Sequence, residues 1–311
     1  MGNAMRIEPT DATLGAVVTD IDLARLDATA FRSVEAALDE HAVLVFPGQR
    51  LSDEEQQGFG RRFGELSIET MVFSNLDESG RVLDPDADMV QLLRGNEDWH
   101  TDHSFTPVSA AASILSARVV PDRGGETEWA DMRAAYDSLP AALGERIEGL
   151  AARHSLYHSQ ARSGQDSAST TRALDALSGR VRSASRPDEP ALLRPLVKRH
   201  PRTGRRALFI GRHAHTVTGM GEAESTALLD ALADHATRPP LCFGHRWAPG
   251  DLAIWDNRCV LHRARPYPPT QPRLMVHTRV AGDPISEGAR TGTEGATEPA
   301  GRTVLGRSEP R

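Results

Sequence analysis

The stretch Leu252-Ala-Ile-Trp-Asp-Asn-Arg-Cys-Val-Leu-His262 indicates the class of fold. Residues 252–255 and 259–262 are strand-like, and a tight turn at Asp256-Asn257 returns the second strand along the first. Strands joined by so short a connection must be antiparallel, because a parallel pair needs a crossover of about a dozen residues or more. The stretch therefore favours an antiparallel sheet.

Strand-like segments dominate the rest of the chain as well. Further segments of strand length are residues 112–120, 192–198, 207–211 and 274–280, and a strand pair is expected to open the domain within residues 7–23. Fewer helices are expected, at residues 31–41, from the capping sequence Ser52-Asp-Glu-Glu55, from Asp131 and at residues 222–237. The expected fold class is mainly β with flanking helices, an antiparallel barrel or jelly roll rather than a doubly wound parallel sheet.

The composition is that of a globular protein, with 39% of its 311 residues hydrophobic and 25% charged. A formal charge of −7 argues against sequence-independent binding of nucleic acid. The longest compact apolar run, residues 42–46, is far too short for a membrane span, and residues 1–9 lack the apolar core of a signal peptide. Two cysteines are too few for a disulfide scaffold. We expect a cytoplasmic homo-oligomer without nucleic-acid or membrane partners.

One domain is expected over residues 7–282, after an N-terminal extension at residues 1–6. Residues 163–189 are rich in Ser, Arg and Asp and contain no aromatic residue, which predicts a long loop that could serve as a lid. Residues 283–311 also lack aromatic residues and are rich in Gly, Thr, Glu and Arg, which predicts a disordered tail.

The sequence Trp99-His100-Thr101-Asp102 offers a candidate metal site. In an extended strand, residues two apart point to the same face, so His100 and Asp102 could hold one ion. His262, at the end of a returning strand, would complete a set of two imidazoles and one carboxylate that leaves coordination positions open, as in non-haem Fe(II) oxygenases. Zinc is disfavoured because no cysteines cluster nearby. The alternative is a surface His–Asp pair without a ligand.

Residues 273–280 form a strand with basic side chains on one face. Arg273, Met275, His277 and Arg279 share this face, which is either a solvated outer surface or the lining of a barrel that receives anions. Arg273 and His277 would lie about 13 Å apart along the strand and would serve different anionic groups.

Four motifs follow one another along the chain: Asp98-Trp-His-Thr-Asp102, Gly124-Gly-Glu-Thr127, Trp255-Asp-Asn-Arg258 and His262 followed by Arg273. Together they resemble the Fe(II)/2-oxoglutarate-dependent taurine dioxygenase family. The likeness covers about residues 7–287 and is greatest to the aryloxyalkanoate (phenoxypropionate) branch, as in Leu44-Val-Phe-Pro-Gly-Gln49 and Asn257-Arg-Cys-Val-Leu-His-Arg-Ala264. The resemblance implies a double-stranded β-helix, the jelly-roll core of this family.

The resemblance also implies roles for individual residues. His100, Asp102 and His262 would bind Fe(II) and form the catalytic centre. Arg273 would pair with the distal carboxylate of 2-oxoglutarate, and the Thr127 hydroxyl would support a co-substrate carboxylate. O₂ would be the oxidant. The presence of Asp102 favours hydroxylation, because related halogenases lack this carboxylate.

Several residues are candidates for binding the substrate. Asn96 matches a substrate-side position of the family. Where taurine-type members hold an anion with a second arginine, this chain has His277, so His277, Arg279 and Arg212 are all candidates for the substrate anion.

The expected function is that of a dioxygenase that hydroxylates a small anionic substrate. The best expectation is an aryloxyalkanoate, cleaved to a phenol and a keto acid with release of succinate and CO₂. The first alternative is the same chemistry on another carboxylate, a sulfonate or sulfate, or an intermediate of secondary metabolism. The second is a jelly roll that binds a ligand without catalysis.

Overall fold

The computed structural model describes residues 5–176 and 191–290. Its strands are β1 (Arg6–Pro9), β2 (Ala16–Thr19), β3 (Val43–Phe46), β4 (Leu66–Ser74), β5 (Ala112–Val119), β6 (Thr127–Asp131), β7 (Ala151–His154), β8 (Leu192–Pro195), β9 (Val197–Arg199), β10 (Arg206–Leu208), β11 (Ala214–Val217), β12 (Cys242–His245), β13 (Leu252–Asp256), β14 (Val260–Ala264) and β15 (Leu274–Val280). Its α-helices are α1 (Ala28–His41), α2 (Asp53–Arg61), α3 (Asp88–Arg94), α4 (Met132–Asp137), α5 (Ala141–Ile147), α6 (Leu156–Arg162), α7 (Ser167–Ala176), α8 (Glu222–Ala236) and α9 (Pro284–Glu287). The chain is therefore mainly β with flanking helices, as the sequence predicts.

The largest sheet has seven strands in the order β1-β2-β3-β13-β5-β15-β4. Its neighbours pair antiparallel except β2 and β3, which are parallel. A smaller sheet has the order β12-β6-β14 and is antiparallel throughout. The expectation that the strand after Asp256-Asn257 returns along the strand before it is wrong: β13 and β14 lie in different sheets, so this turn carries the chain from one sheet to the other. His262 lies in the middle of β14 and not at its end.

Side-chain alternation along the strands places a separate core on each face of the large sheet. In β3, Leu44 and Phe46 pack with residues of α1 and α2, whereas Val43 and Val45 belong to a second core. That second core includes Trp129 of the small sheet together with other residues of β6 and β14. The large sheet is thus covered by helices on one face and by the small sheet on the other.

Several predicted elements are confirmed. Residues 274–280 form β15 with the predicted bounds, and β1 and β2 are the antiparallel pair expected within residues 7–23. Ser52 caps α2: its Oγ accepts from the Glu55 N–H, and the Glu55 side chain accepts from the Ser52 N–H. These features depend on neighbouring residues, which is why the local sequence predicts them.

Two predicted irregular segments contain ordered structure. Within residues 163–189, predicted as a loop, the structure has α7, and residues 177–190 lie outside the described part of the chain. The predicted tail also begins too early, because α9 follows residue 282 directly. Glu287, at its end, is buried and accepts hydrogen bonds from Ser109 and Lys198. Both segments are anchored by distant residues, which composition does not reveal. Residues 1–4 and 291–311 lie outside the described residues.

Among the described residues, no helix combines the length and the apolar character needed to cross a membrane.

Candidate active site

Backbone pairing brings two histidines together. His262 lies in β14, and its N–H donates to the His100 carbonyl at 2.8 Å while the His100 N–H donates to the His262 carbonyl at 3.0 Å. The centroids of the two rings are 4.1 Å apart. Asp102 completes a buried cluster in which one ligand atom of each residue lies within 4.8 Å of the others. The structure thus brings together the three residues that the sequence singles out as metal ligands.

Both imidazoles are in the neutral form that binds a metal. Burial lowers the pKa of His100 and holds the pKa of His262 well below its usual range. His100 Nδ1 lies 2.8 Å from the Asp98 carbonyl oxygen. A carbonyl oxygen only accepts, so Nδ1 carries the proton and Nε2 offers a lone pair.

The Asp102 carboxylate is ionised and accepts a hydrogen bond at each oxygen. Burial acts to raise its pKa, but the charge of the Arg279 guanidinium outweighs burial and holds the pKa well below its usual range. Arg279 Nη2 donates to Oδ1 at 2.9 Å, and Ser113 Oγ donates to Oδ2 at 2.6 Å. Arg279 Nη1 also donates to Nε2 of His103, whose backbone is left-handed with φ of 55°. Arg279, a candidate for the substrate anion, is therefore already paired with a candidate metal ligand.

This donor set fits a divalent transition metal. Two neutral imidazoles and one carboxylate on the same side of an ion form the facial arrangement of non-haem Fe(II) oxygenases. The cluster contains no thiolate, which a structural zinc site commonly includes.

A second buried group has metal-ligand residue types but no free ligand atoms. It consists of His200, Asp256 and Cys259. The Asp256 carboxylate accepts from His200 Nε2 at 2.9 Å and from the Arg258 guanidinium at 2.8 and 2.6 Å. Burial raises the pKa of Cys259 well above its usual range, so the sulfur stays a thiol. We interpret this group as a structural ion pair.

A cavity of about 280 Å³ opens onto the triad. Besides the three triad residues, its lining includes Thr127, Trp255, Arg273 and His277. Met275 and Arg279, which share the basic face of β15 with Arg273 and His277, are buried too. The face is therefore part of the interior and not a solvated outer surface.

Arg273 is a buried cation without an anionic partner. Its Nη2 donates to the Gly125 carbonyl at 3.3 Å, and its Nε has no hydrogen-bond partner. Within residues 5–176 and 191–290, no carboxylate lies within salt-bridge distance of it. Burial lowers its pKa, but arginine remains charged at neutral pH. Because an unpaired buried charge is costly, the site fits an incoming carboxylate such as that of 2-oxoglutarate.

Thr127 is oriented toward the same cavity. Its Oγ1 accepts a hydrogen bond from Trp247 Nε1 at 3.0 Å. An indole N–H only donates, so the single hydroxyl hydrogen of Thr127 remains available to donate to an anion. Trp247 lies 120 positions from Thr127 in the chain, so no local sequence pattern indicates this contact.

The Gly124-Gly125 turn allows the chain to approach Arg273 closely. Both residues have φ of 73°, a left-handed conformation that favours glycine. A Cβ on Gly124 would collide with the Pro266 carbonyl oxygen, and one on Gly125 would lie 3.2 Å from Arg273 Nε. Glycine at these positions therefore lets the turn pack against the Arg273 side chain.

His277 offers one unpartnered donor to the cavity. Its ring lies between Phe73 and Trp255, at centroid distances of 5.2 and 5.9 Å. Arg279 Nη2 lies 3.4 Å from its Nδ1, and because arginine only donates, Nδ1 is the acceptor. Burial, followed by the charge of Arg279, lowers the pKa of His277 to about 3. The ring is neutral with its proton on Nε2, a buried atom without a hydrogen-bond partner.

Asn96 and Arg212 lie near the triad, beside a second cavity. Both line a second cavity of about 80 Å³, and Asn96 lines the larger cavity as well. The Arg212 guanidinium donates to the Gly95 carbonyl, and its Nη2 lies 2.8 to 3.0 Å from acceptors on residues 159, 160 and 163. Its buried Nε has no hydrogen-bond partner among the described residues but lies 3.7 Å from Asp98 Oδ2, within ion-pair distance. Arg212 therefore ties the segment before the metal motif to α6.

The structure also reveals residues that the sequence analysis does not single out. Ser113 contacts the Asp102 carboxylate, and Tyr267 lies beneath the Arg273 guanidinium, whose carbon is 5.6 Å from the ring centroid. A single serine in a strand gives no sequence signal. Asn257, which donates to Ser113, belongs to the Trp255-Asp-Asn-Arg258 motif, and this motif is the sequence feature that could have indicated the contact.

Several known proteins are similar to this chain in sequence and in architecture. The family model for the taurine catabolism dioxygenase TauD, TfdA family matches residues 6–279. The chain is 50% identical over 291 residues to the (S)-phenoxypropionate/alpha-ketoglutarate-dioxygenase of Sphingobium herbicidovorans, which covers 93% of this chain and 99% of that relative. It is 43% identical over 297 residues to the protein of the same name from Delftia acidovorans, with the same coverage of 93% and 99%. The solved structure of AAD-2 in complex with Mn(II) and N-oxalylglycine is similar with a TM-score of 0.82 and 35% identity, covering 93% of this chain and 100% of that one.

Proposed function

Because the chain belongs to the TauD/TfdA family of dioxygenases, we propose that it hydroxylates a small aryloxyalkanoate with Fe(II), 2-oxoglutarate and O₂. The observation that carries this proposal is the arrangement of His100, Asp102 and His262 around a cavity that also contains the unpaired Arg273 guanidinium. The substrate class is supported by the two relatives named for (S)-phenoxypropionate.

In this proposal the triad holds the iron, and two other residues hold the co-substrate. His100 and His262 contribute neutral nitrogens, and Asp102 contributes a carboxylate oxygen. Arg273 pairs with the distal carboxylate of 2-oxoglutarate, since among the described residues that line the larger cavity it is the buried cation without an anion. Thr127 donates its free hydroxyl hydrogen to a co-substrate carboxylate.

The iron centre supplies oxidative decarboxylation of 2-oxoglutarate to succinate and CO₂, with one oxygen atom of O₂ entering succinate and the other entering a substrate C–H bond. When the hydroxylated carbon also bears the aryl ether oxygen, the product collapses to a phenol and a keto acid. The protein orients the substrate and excludes water. Phe73, Trp255 and His277 form a largely aromatic wall beside the triad that serves both purposes.

The proposed fold is a double-stranded β-helix. The seven-stranded sheet and the sheet β12-β6-β14 would be its two sides. Their largely antiparallel pairing and their shared core support this assignment. A single dioxygenase domain would then run from β1 through α9, and the site would lie between the sheets, where β14 supplies His262 and β15 supplies His277.

For the substrate anion, His277 is the candidate that the geometry favours. Arg279 is paired with Asp102, and Arg212 donates to four oxygen atoms of the protein. His277 lines the larger cavity, and its Nε2 makes no hydrogen bond among the described residues, since Asp102 Oδ2 lies 3.6 Å away. The substrate would therefore be held by a neutral hydrogen-bond donor at the position where taurine-type members carry an arginine.

His277→Phe should raise the KM for the aryloxyalkanoate by about 10-fold or more, because it removes a hydrogen bond to a charged group worth about 1.5–3 kcal/mol. The phenylalanine ring keeps the packing against Phe73 and Trp255. The KM for 2-oxoglutarate should stay within about twofold. His277→Gln restores a donor and should recover part of the affinity. An unchanged substrate KM in His277→Phe would instead favour Arg212, whose Nε makes no hydrogen bond within the described part of the chain.

The proposed function predicts a fixed product ratio. With Fe(II), 2-oxoglutarate and O₂, we expect phenol and succinate in a one-to-one ratio from one enantiomer of phenoxypropionate. Both enantiomers, phenoxyacetate and taurine should be compared. Succinate without phenol would retain the dioxygenase and reject the aryloxy substrate. Metal binding without 2-oxoglutarate consumption under any condition would point to the non-catalytic alternative.

The second candidate is the same chemistry on a different small anion. A carboxylate, a sulfonate, a sulfate ester or a secondary-metabolism intermediate would all find hydrogen-bond donors in the cavity. Coupling of succinate release to taurine, and not to any aryloxyalkanoate, would select this candidate.

A further inference from the structure

A chain of hydrogen bonds extends from the cavity wall to the Asp102 carboxylate. Trp255 Nε1 donates to Asn257 Oδ1 at 3.0 Å, Asn257 Nδ2 donates to Ser113 Oγ at 2.8 Å, and Ser113 Oγ donates to Asp102 Oδ2 at 2.6 Å. All four residues are buried. The three bonds join residues of β5 and β13, the turn after β13 and the loop that carries His100 and Asp102.

Each bond in this chain has one possible direction. The indole N–H of Trp255 only donates, so it faces the oxygen of the Asn257 amide and leaves the amide nitrogen for Ser113. That nitrogen also only donates, so the single hydroxyl hydrogen of Ser113 points to Asp102. This series of three hydrogen bonds therefore places one donor at Asp102 Oδ2, and its donors and acceptors allow no other set of directions.

Ser113 and Arg279 bind different oxygens of the Asp102 carboxylate. Arg279 donates Nη2 to Oδ1, while its Nη1 contacts His103. Arginine and a carboxylate readily form a pair of parallel hydrogen bonds in which both oxygens turn toward the guanidinium. With Ser113 on Oδ2 and His103 on Nη1, the carboxylate is held in a different orientation, with Oδ2 facing the imidazoles: Oδ2 lies 3.7 Å from His262 Nε2 and 3.6 Å from His277 Nε2.

We propose that Ser113 and Asn257 are positioning residues of the metal centre. They hold the Asp102 carboxylate in the orientation that binds the ion and prevent its capture by Arg279. This inference rests on the proposed function, because it takes Asp102 as a metal ligand. Asn257 acts through Ser113, so its effect requires the serine hydroxyl.

The test measures Mn(II) binding to the full chain without 2-oxoglutarate, by calorimetry or by the loss of the free-ion EPR signal. Ser113→Ala should raise the Kd for Mn(II) by about 10- to 100-fold, the usual effect of removing a hydrogen-bond partner of a metal ligand. Asn257→Ala should raise it less. The double variant should bind no more weakly than Ser113→Ala, because the two residues act in series.

Ser116→Ala is the matched control. Ser116 lies in the same strand, is equally buried and also donates a 2.6 Å hydrogen bond, but to Gln56 Oε1 on the helix-covered side of the sheet. It should lower the melting temperature as Ser113→Ala does and leave the Mn(II) Kd within about twofold of the parent value.

Three outcomes would overturn the proposal: an unchanged Kd in Ser113→Ala, an equal increase in Ser116→Ala, or additive effects in the double variant. The first two would show that Ser113 has no specific role at the metal, and the third would show that Asn257 acts independently of it. Failure of the unaltered protein to bind Mn(II) would overturn the metal site of the proposed function itself, together with this inference.

Discussion

His262→Ala should abolish both metal binding and succinate release. His262 supplies one of the two neutral nitrogens, and alanine leaves only His100 and Asp102 to hold the ion. Removing a partner of a metal ligand costs about 10- to 100-fold in affinity or activity, so removing the ligand itself should cost more, about 1000-fold or greater. The measurements are succinate release with Fe(II) and 2-oxoglutarate, and the Mn(II) Kd of the same preparation.

The backbone of residue 262 contributes to the fold independently of its side chain. Its two hydrogen bonds to His100 use only main-chain atoms, so they survive the substitution and the variant should fold. His154→Ala is a suitable control, because His154 is equally buried but has no hydrogen-bond partner and lies outside the triad. It should retain succinate release. Full turnover in folded His262→Ala would show that the triad assignment is wrong.

Arg273→Ala should raise the concentration of 2-oxoglutarate needed for half-maximal activity by about 100-fold. The guanidinium is buried, and its proposed partner is the distal carboxylate of the co-substrate. Truncating one side of a buried charge pair costs about 2–5 kcal/mol, and each 1.4 kcal/mol corresponds to about tenfold in affinity. The Mn(II) Kd should not change, because Arg273 is not part of the triad. Initial rates across a 2-oxoglutarate titration measure the effect.

Arg263→Ala controls for the loss of a positive charge near the cavity. Arg263 lines the same cavity, but its Nε is paired with Glu128 at 2.7 Å. Its removal should leave the 2-oxoglutarate requirement within about twofold, since Arg263 already has an anionic partner in a half-buried pair and is not available to the co-substrate. Arg273→Lys keeps the charge without the bidentate geometry, so its 2-oxoglutarate requirement should lie between those of the parent protein and Arg273→Ala. An unchanged requirement in Arg273→Ala would exclude its role with the co-substrate.

Much of the fold follows from short-range patterns. The alternation in residues 274–280 predicts β15 and separates its two faces, and the Ser52–Glu55 spacing predicts the start of α2. Less regular segments were missed. Helix α7 has a polar composition and lies where the sequence predicts a loop, and α9 lies where it predicts a tail. In α9, the buried Glu287 is held by Ser109 and Lys198, residues far away in the chain.

The sequence by itself determined two candidate features from patterns of neighbouring residues, a metal site at His100 and Asp102 and a basic face on residues 273–280. The co-substrate roles of Arg273 and Thr127 followed from the resemblance to a known family. Only the tertiary structure decided which basic groups remain free. Arg279 pairs with Asp102 across 177 positions of the chain, and the Arg212 guanidinium donates to the carbonyls of Gly95 and of Ser159 in α6. Ser113 reaches Asp102 only because β5 passes beside the metal motif. Hydrogen bonds and ion pairs form over a few ångströms, so whether a polar group is paired or free depends on how distant segments pack.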